Sequence, residues 1–175
     1  MSGSEKVVTV IQGEYRISDD PSVIFSTVLG SCVAVCLCDL ERRIGGMSHF
    51  LLPSRAGKDG ANERYGAYSM ELLINGLLKQ GAQRSRLRAK LFGGAKMMSN
   101  LGDIGTSNAR FAHEFLANES IPILGESLGG TSARRIRFAP VTGRAKQLLV
   151  AGDVAEVAPI VAPPKPPIAS DVTLF

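Results

Sequence analysis

Four residues of this 175-residue chain are suited to nucleophilic chemistry, namely the three cysteines and His49. Cys32 follows a Gly-Ser pair and directly precedes an apolar run, whereas Cys36 and Cys38 lie inside that run. A thiolate beside an imidazole is a common nucleophile of acyl-transfer enzymes, because a free thiol with a pKa of about 8.5 is mostly protonated at neutral pH. The pattern predicts Cys32 as the nucleophile and the other two thiols as small buried hydrophobes. A structural role in the core is the alternative for Cys32.

Hairpin register brings His49 close to Cys32. Two apolar runs, 33–37 and 44–52, flank a short polar stretch and predict an antiparallel hairpin. A turn centred on that stretch pairs residues whose numbers sum to about 81, and shifting the turn by one residue changes the sum by two. We therefore expect Cys32 and His49 to lie directly opposite each other or within one register step. The alternative is a packed, hydrogen-bonded His49 without a catalytic role.

A third polar group usually orients the imidazole, and two hydroxyls are within reach. Ser26 and Thr27 both lie on the predicted strand that leads into the Gly-Ser pair, and the spacing leaves open which of them is used. The backbone N–H groups around Gly30 and Ser31 are candidates for stabilising a developing oxyanion.

Cysteine and histidine counts argue against other uses of these residues. Three clustered thiols do not make a disulfide framework, which uses an even number spread along the chain. A zinc site needs about four ligands, and the chain has two histidines. The pair Gly93-Gly94 lacks the spacing of a dinucleotide or phosphate-binding loop, and a tight turn near another backbone is the favoured interpretation. We therefore expect no metal and no organic cofactor.

Charge and hydropathy argue against nucleic-acid binding, membrane insertion and secretion. The net charge is +4, acidic and basic residues are mixed, and aromatic residues make up 6%, so nucleic-acid binding is not predicted. No apolar run approaches the roughly 18 residues of a membrane span, and the N-terminus lacks the apolar core of a secretion signal. These features predict a cytoplasmic protein without membrane insertion.

The chain length predicts one domain, over residues 1–153, and the shift to a Pro-rich composition predicts a mobile tail over 154–175. A loop is predicted over 54–64. The expected helices are one around residues 70–78 that ends at Gly81 and one over 108–118 capped by Thr106 or Ser107. The expected strands cover 7–11, 23–25, 33–37, 44–52, 87–92, 121–124, 135–138 and 147–150.

Five segments resemble, in order, the motifs of the chemoreceptor glutamine deamidases, the CheD family. They are TVLGSCVAVCLCD, IGGMSHFLLP, KLFGGAKMM, IGTSNARF and LGGTSARRIRFAPVTG, and the similarity covers about residues 8–150. The resemblance implies an α/β fold of the α+β type, with packed mixed or antiparallel β-sheets flanked by helices and related to cysteine hydrolases. It also implies Cys32 as nucleophile, His49 as base and an upstream hydroxyl as third member.

The same resemblance implies a function. A CheD-like enzyme hydrolyses glutamine side-chain amides of methyl-accepting chemotaxis receptors to glutamate and releases ammonia, without a cofactor. The alternative is a non-catalytic regulatory module that binds chemotaxis receptors or a CheC-like phosphatase. The sequence departs from the family where Ser26 replaces the usual threonine and Thr27 follows one position later. Basic groups around Arg86 and Arg134 are expected to form a rim that favours a glutamine within a protein over free glutamine.

Overall fold

The structure is a computed structural model that describes residues 3–52, 61–97, 104–150 and 172–175. No helix in these ranges is both long enough and apolar enough to cross a membrane. The helices are α1 (Ala61–Lys79) and α2 (Ile104–Asn118), with a short 3-10 turn at Arg84–Arg86. The strands are β1 (Lys6–Thr9), β2 (Tyr15–Ser18), β3 (Val23–Leu29), β4 (Val33–Asp39), β5 (Ile44–Phe50), β6 (Arg88–Gly93), β7 (Ile123–Leu128), β8 (Arg134–Phe138), β9 (Ala145–Leu149) and β10 (Val172–Leu174).

The strands form two five-stranded mixed sheets. Sheet I has the order β1-β3-β8-β9-β10, and sheet II has the order β2-β5-β4-β6-β7. The β1–β3 and β6–β7 pairs are parallel and the others are antiparallel. Both helices pack against sheet II. The molecule is therefore layered as helices, sheet II and sheet I, which confirms the predicted class of packed mixed sheets with flanking helices.

Sheet II lies in the middle of these layers, so its central strands are buried on both faces. Alternate residues of β4 belong to two different cores, because successive side chains of a strand point to opposite faces. Val35 and Leu37 pack with the helices, whereas Ala34 and Cys36 pack between the sheets. Every residue of β4 and of β5 is buried. Antiparallel strands more often have one solvated face, and here the second sheet covers that face.

The C-terminal end departs from the predicted tail. Residues 172–174 pair with β9, and the backbone N–H and C=O groups of Phe175 both bond to Ala145. The Phe175 ring packs edge-on against Phe92 with ring centroids 5.3 Å apart. The tail prediction is therefore wrong for the last four residues, while 154–171 lie outside the described residues. A three-residue strand beside a Pro-rich stretch has too little periodicity to be recognised.

Both helices begin earlier than the sequence predicts. Residues 61–64 of the predicted loop belong to α1, and the rest of that loop lies outside the described residues. α2 begins at Ile104, so the predicted caps are wrong. Its start depends on a close approach: a Cβ on Gly105 would lie 2.5 Å from the carbonyl oxygen of Gly94. The predicted helix end at Gly81 is confirmed, since this residue has a φ of 98° just after α1.

A buried carboxylate, Asp39, anchors the last residue of β4, at the end of the strand distant from Cys32. Asp39 is fully buried and accepts hydrogen bonds from the guanidinium of Arg86, at 3.0 Å to each oxygen, and from the N–H of Gln83 at 2.9 Å. Burial by itself raises the pKa of Asp39, but hydrogen bonds from Arg86, Gln83 and Arg42 outweigh it and lower the pKa to about 2. The Arg86 guanidinium is thus bound to a buried carboxylate, so the prediction that Arg86 belongs to a basic rim is wrong.

This anchor predicts an acid-dependent loss of stability. A carboxylate whose pKa is lowered by folding stabilises the protein above its unfolded pKa of about 3.9, and the contribution disappears as the pH falls through the folded value. We expect wild type to lose about 2 to 3 kcal/mol through this group between about pH 5 and pH 1. Thermal unfolding of Asp39→Asn should lack that component. An identical acid-induced decrease in both proteins would contradict the assignment.

Candidate active site

Cys32 lies where the chain passes from one sheet to the other. β3 belongs to sheet I and β4 to sheet II, and residues 30–32 connect them. The Cys32 side chain is half-buried and packs against the apolar core between the sheets. The flexible Gly-Ser pair thus allows the chain to cross from sheet I to sheet II. The Cys32 thiol lies at the end of the interface between the two sheets, which we call the seam.

A glycine turn after β6 fixes the backbone of this crossing. The N–H of Ala95 donates to the carbonyl of Gly30 at 2.9 Å, and the N–H of Gly94 donates to the carbonyl of Cys32 at 2.8 Å. Gly93 has a φ of 111°, and a Cβ there would lie 2.1 Å from the Cys32 carbonyl oxygen. The interpretation of the glycine pair as a tight turn against another backbone is confirmed.

The buried side chain of Asn108 on α2 holds the same crossing from the other side. Its Nδ2 donates to the carbonyl of Ser31 at 2.8 Å, and its Oδ1 accepts from the N–H of Leu52 at 3.0 Å. Asn108 is fully buried and uses both ends of its amide. It therefore connects the residue before Cys32 to the chain that follows His49.

The hairpin prediction is confirmed with a shift of one register step. His49 on β5 pairs with Ala34 on β4, so Cys32 lies two residues before the partner of His49. Residues two apart on a strand share a face, and Cys32 packs on the same inter-sheet core as Ala34. Cys32 and His49 therefore lie diagonally on the same side of sheet II.

Two oxygen atoms fix the His49 ring. Nδ1 is 2.9 Å from the Thr27 hydroxyl and 3.1 Å from the carbonyl oxygen of Val10, and the Thr27 hydroxyl donates to that same carbonyl at 2.8 Å. A carbonyl only accepts, so the network assigns the ring proton to Nδ1. Nε2 then carries the lone pair, and this buried atom has no hydrogen-bond partner among the described residues.

Burial keeps this imidazole neutral. Desolvation lowers the pKa of His49, while the Val10 hydrogen bond and the negative charge of Glu14 act in the opposite direction and only partly offset it. Since an ordinary histidine has a pKa of about 6.5, His49 is a neutral ring with a basic Nε2 at neutral pH. Such a group can accept a proton from a thiol.

Strand alternation brings Thr27, and not Ser26, to His49. Phe25, Thr27 and Leu29 are buried alternate residues of β3 that face sheet II, whereas Ser26 is half-exposed between them. Ser26 pairs with Arg137 on the neighbouring strand and belongs to the opposite face of sheet I.

One further contact of Cys32 was not predicted from the sequence. The Cys32 thiol lies 3.5 Å from Oε1 of Gln12, which is on the loop between β1 and β2. Two backbone bonds seat that loop on β5: Gly13 N–H to the His49 carbonyl at 2.8 Å, and His49 N–H to the Glu14 carbonyl at 3.0 Å. No spacing rule connects a loop residue at position 12 to a thiol at position 32, so the sequence offers no signal for this contact.

The remaining candidate groups are structural. Burial raises the pKa of Cys36 and of Cys38, so both thiols stay protonated in the core. Arg134 is buried and donates to the backbone carbonyls of Ser127, Gly129 and Ser132. The prediction that Arg134 belongs to a basic rim is therefore wrong. Over the described ranges, no three His, Cys, Asp or Glu side chains are grouped to hold a metal ion.

Comparison with known proteins adds independent information. The model of the family described as CheD chemotactic sensory transduction matches residues 51–147. A Ruegeria protein named "Probable chemoreceptor glutamine deamidase CheD 1" is 54% identical, covering 96% of this chain and 95% of its own. Proteins named "Probable chemoreceptor glutamine deamidase CheD" are 54% identical in Caulobacter vibrioides, with 96% and 92% covered, and 48% identical in Agrobacterium fabrum, with 100% and 99% covered.

Among solved structures, the Bacillus licheniformis protein YfiH aligns with a TM-score of 0.44 and 15% identity, covering 72% of this chain and 60% of that chain. The family match spans more than half of the sequence, and the identities extend over nearly all of it. The chain belongs to the CheD family.

Proposed function

We propose that this protein is a chemoreceptor glutamine deamidase, a hydrolase that converts glutamine side chains of chemotaxis receptors into glutamate and releases ammonia. The observation that carries the proposal is the His49 ring, which Thr27 and Val10 hold with its basic nitrogen unpartnered beside the strand end that bears Cys32. Relatives 48–54% identical over nearly the full chain have names that state the same activity.

The first step is acylation of Cys32. Nε2 of His49 accepts the thiol proton, and the thiolate attacks the carbonyl carbon of the glutamine side chain. A tetrahedral intermediate forms with negative charge on the former amide oxygen. Thr27 is the orienting residue in this scheme, because its oxygen accepts the Nδ1–H and its own proton is committed to Val10.

Backbone N–H groups at the sheet crossing stabilise the oxyanion in this proposal. A trans peptide directs its C=O and N–H groups to opposite sides. The carbonyl of Ser31 points at Asn108 and that of Gly30 at the N–H of Ala95, so the N–H groups of Cys32 and Ser31 point away from α2 and the glycine turn. We assign the oxyanion contact to these two groups.

The second half of the reaction regenerates the thiol. The protonated His49 donates its Nε2 proton to the departing nitrogen, and ammonia leaves as the thioester forms. The same nitrogen then accepts a proton from water, whose oxygen attacks the thioester and releases glutamate. One water is consumed and one ammonia is produced for each glutamine converted.

The substrate in this proposal is a glutamine presented by a folded receptor. Cys32 is half-buried at the end of the seam and Gln12 beside it is exposed, so a protein segment can approach the thiol from outside. The mechanism needs a reduced Cys32, and we place the reaction in the reducing cytoplasm. We propose a CheC-like phosphatase as a regulatory partner, and binding it does not require the thiol.

Cys32 should be the one cysteine required for activity. We expect receptor cytoplasmic domain co-expressed with the wild-type protein to gain about one dalton for each glutamine converted. Cys32→Ala should abolish the gain while the protein still folds, whereas Cys36→Ala and Cys38→Ala should lower stability and retain activity. Free glutamine serves as the control substrate and should release little ammonia. Full deamidation by Cys32→Ala would leave the binding-module alternative and reject the enzyme.

Thr27 should be the hydroxyl that matters. Thr27→Val keeps the shape but leaves Nδ1–H with the Val10 carbonyl as its one remaining acceptor, and we expect deamidation to slow by about 10-fold, the equivalent of one hydrogen bond of about 1.4 kcal/mol. Thr27→Ser should retain most of the activity, and Ser26→Ala should match wild type. Initial rates of ammonia release measure the effect, and equal losses in the Ser26 and Thr27 variants would contradict the assignment.

The pH profile should report the buried base. His49 must be unprotonated to accept the thiol proton, so activity is present above its pKa and is lost as the pH falls through it. Because burial lowers the pKa of His49, the acid limb of kcat/KM should lie below about pH 6.5. Rates on receptor fragment between about pH 5 and pH 8 test this. An acid limb at or above pH 7 would mean that another group titrates.

A further inference from the structure

We infer that Asn108 is a positioning residue that ends the β4–β5 hairpin beside the active site and holds its two strands apart at Cys32. The inference rests on the proposed function for its deamidation readout, whereas its reactivity readout does not. Asn108 is fully buried on α2, and both ends of its amide are bonded. Those bonds reach two different chain segments, one on each side of the hairpin.

Register shows what Asn108 replaces. The last observed pair of the hairpin is Val33 with Phe50. Continued by two residues, the same register would place Ser31 opposite Leu52, and the Leu52 N–H would donate to the Ser31 carbonyl as the next rung of the ladder. In the structure, those same two groups bond to the amide of Asn108. The side chain thus takes the place of a rung and inserts one amide group between the strands.

This insertion has a consequence for Cys32. An uninterrupted ladder would extend β4 through Cys32 and continue it opposite β5, which would keep the thiol inside sheet II. With the amide inserted, the backbone diverges at Cys32 and crosses to sheet I, where β3 carries Thr27. Asn108 therefore sets the place at which the nucleophile leaves the sheet relative to the strand that holds His49.

The position of α2 makes the insertion rigid. Gly105, one turn before Asn108, packs against Gly94 so closely that a Cβ would lie 2.5 Å from the Gly94 carbonyl oxygen. The N–H of Gly94 in turn holds the Cys32 carbonyl at 2.8 Å. The helix, the glycine turn and the crossing form one connected unit, and the amide must offer a donor and an acceptor at fixed positions within it.

The variant Asn108→Asp distinguishes positioning by hydrogen bonds from a purely structural role of this side chain. An ionised carboxylate can accept from Leu52 but repels the carbonyl of Ser31, whereas a protonated one can donate to Ser31 and restore both bonds. The buried site should raise the pKa of this aspartate above its ordinary range. Rescue by acid is therefore expected in Asn108→Asp and not in Asn108→Leu, which has neither a donor nor an acceptor.

The experiment measures the rate of Cys32 alkylation by iodoacetamide, read by peptide mass, together with receptor deamidation. At about pH 8 both variants should react about 10-fold or more slowly than wild type, the loss expected for one or two buried hydrogen bonds. As the pH falls toward about 5, the ratio of Asn108→Asp to wild type should rise several-fold, while that of Asn108→Leu stays low. Taking the ratio at each pH removes the titration of His49 and Cys32 themselves.

A matched control separates positioning from stability. Asp39→Asn removes a buried polar anchor at the other end of β4, so it should destabilise the fold without changing the rate of Cys32 alkylation. If the Asn108 variants fold and react within twofold of wild type at every pH, the inference is wrong. If Asn108→Leu does not fold, the inference is still overturned when the alkylation rate of Asn108→Asp relative to wild type does not change with pH. Absence of receptor deamidation by wild type would count against the proposed function, and the alkylation ratio would still decide the role of Asn108.

Discussion

A hydrogen bond between the two sheets determines what this site can do. Thr27 comes from sheet I and His49 from sheet II, and they meet at 2.9 Å beside the apolar core between the sheets. A buried polar group without a partner costs about 1 to 3 kcal/mol, so this contact favours one packing of the sheets and one orientation of the imidazole. The carbonyl of Val10 accepts from the Thr27 hydroxyl and shares the Nδ1–H of His49 with the Thr27 oxygen, so this network also fixes the tautomer. The packing of the two sheets, rather than a local motif, therefore determines which ring nitrogen is basic and where it lies.

The nucleophile depends on the same two layers for a different reason. Cys32 is on the stretch that connects them, and its neighbours are fixed by three separate hydrogen bonds from the glycine turn and α2. Those bonds come from segments more than 60 residues further along the chain. A short Gly-Ser-Cys stretch would be flexible in isolation, and long-range contacts supply the order that catalysis requires.

Local patterns predicted the parts of the site that depend on register. The pairing of Cys32 and His49 within one step follows from the length of one hairpin, because antiparallel partners obey a fixed sum. The same period-2 logic could have separated Thr27 from Ser26, since Thr27 stands between Phe25 and Leu29 and must share their buried face. Both hydroxyls remained candidates because this alternation was not applied to residues 26–29. Strand order, the contact of Gln12 and the role of Asn108 depend on packing between distant segments and leave no local signal.

The three clustered thiols show how position within one strand separates their chemistry. Cys36 pairs with Met47 and Cys38 with Gly45, and both lie deeper between the sheets than the crossing. Burial there raises the pKa of each thiol, so neither supplies a thiolate at neutral pH. Cys32 shares their face, but it lies past the last ladder pair, half-exposed and within one register step of a neutral imidazole. The sheet thus distinguishes identical side chains through burial and through the position at which the hairpin ends.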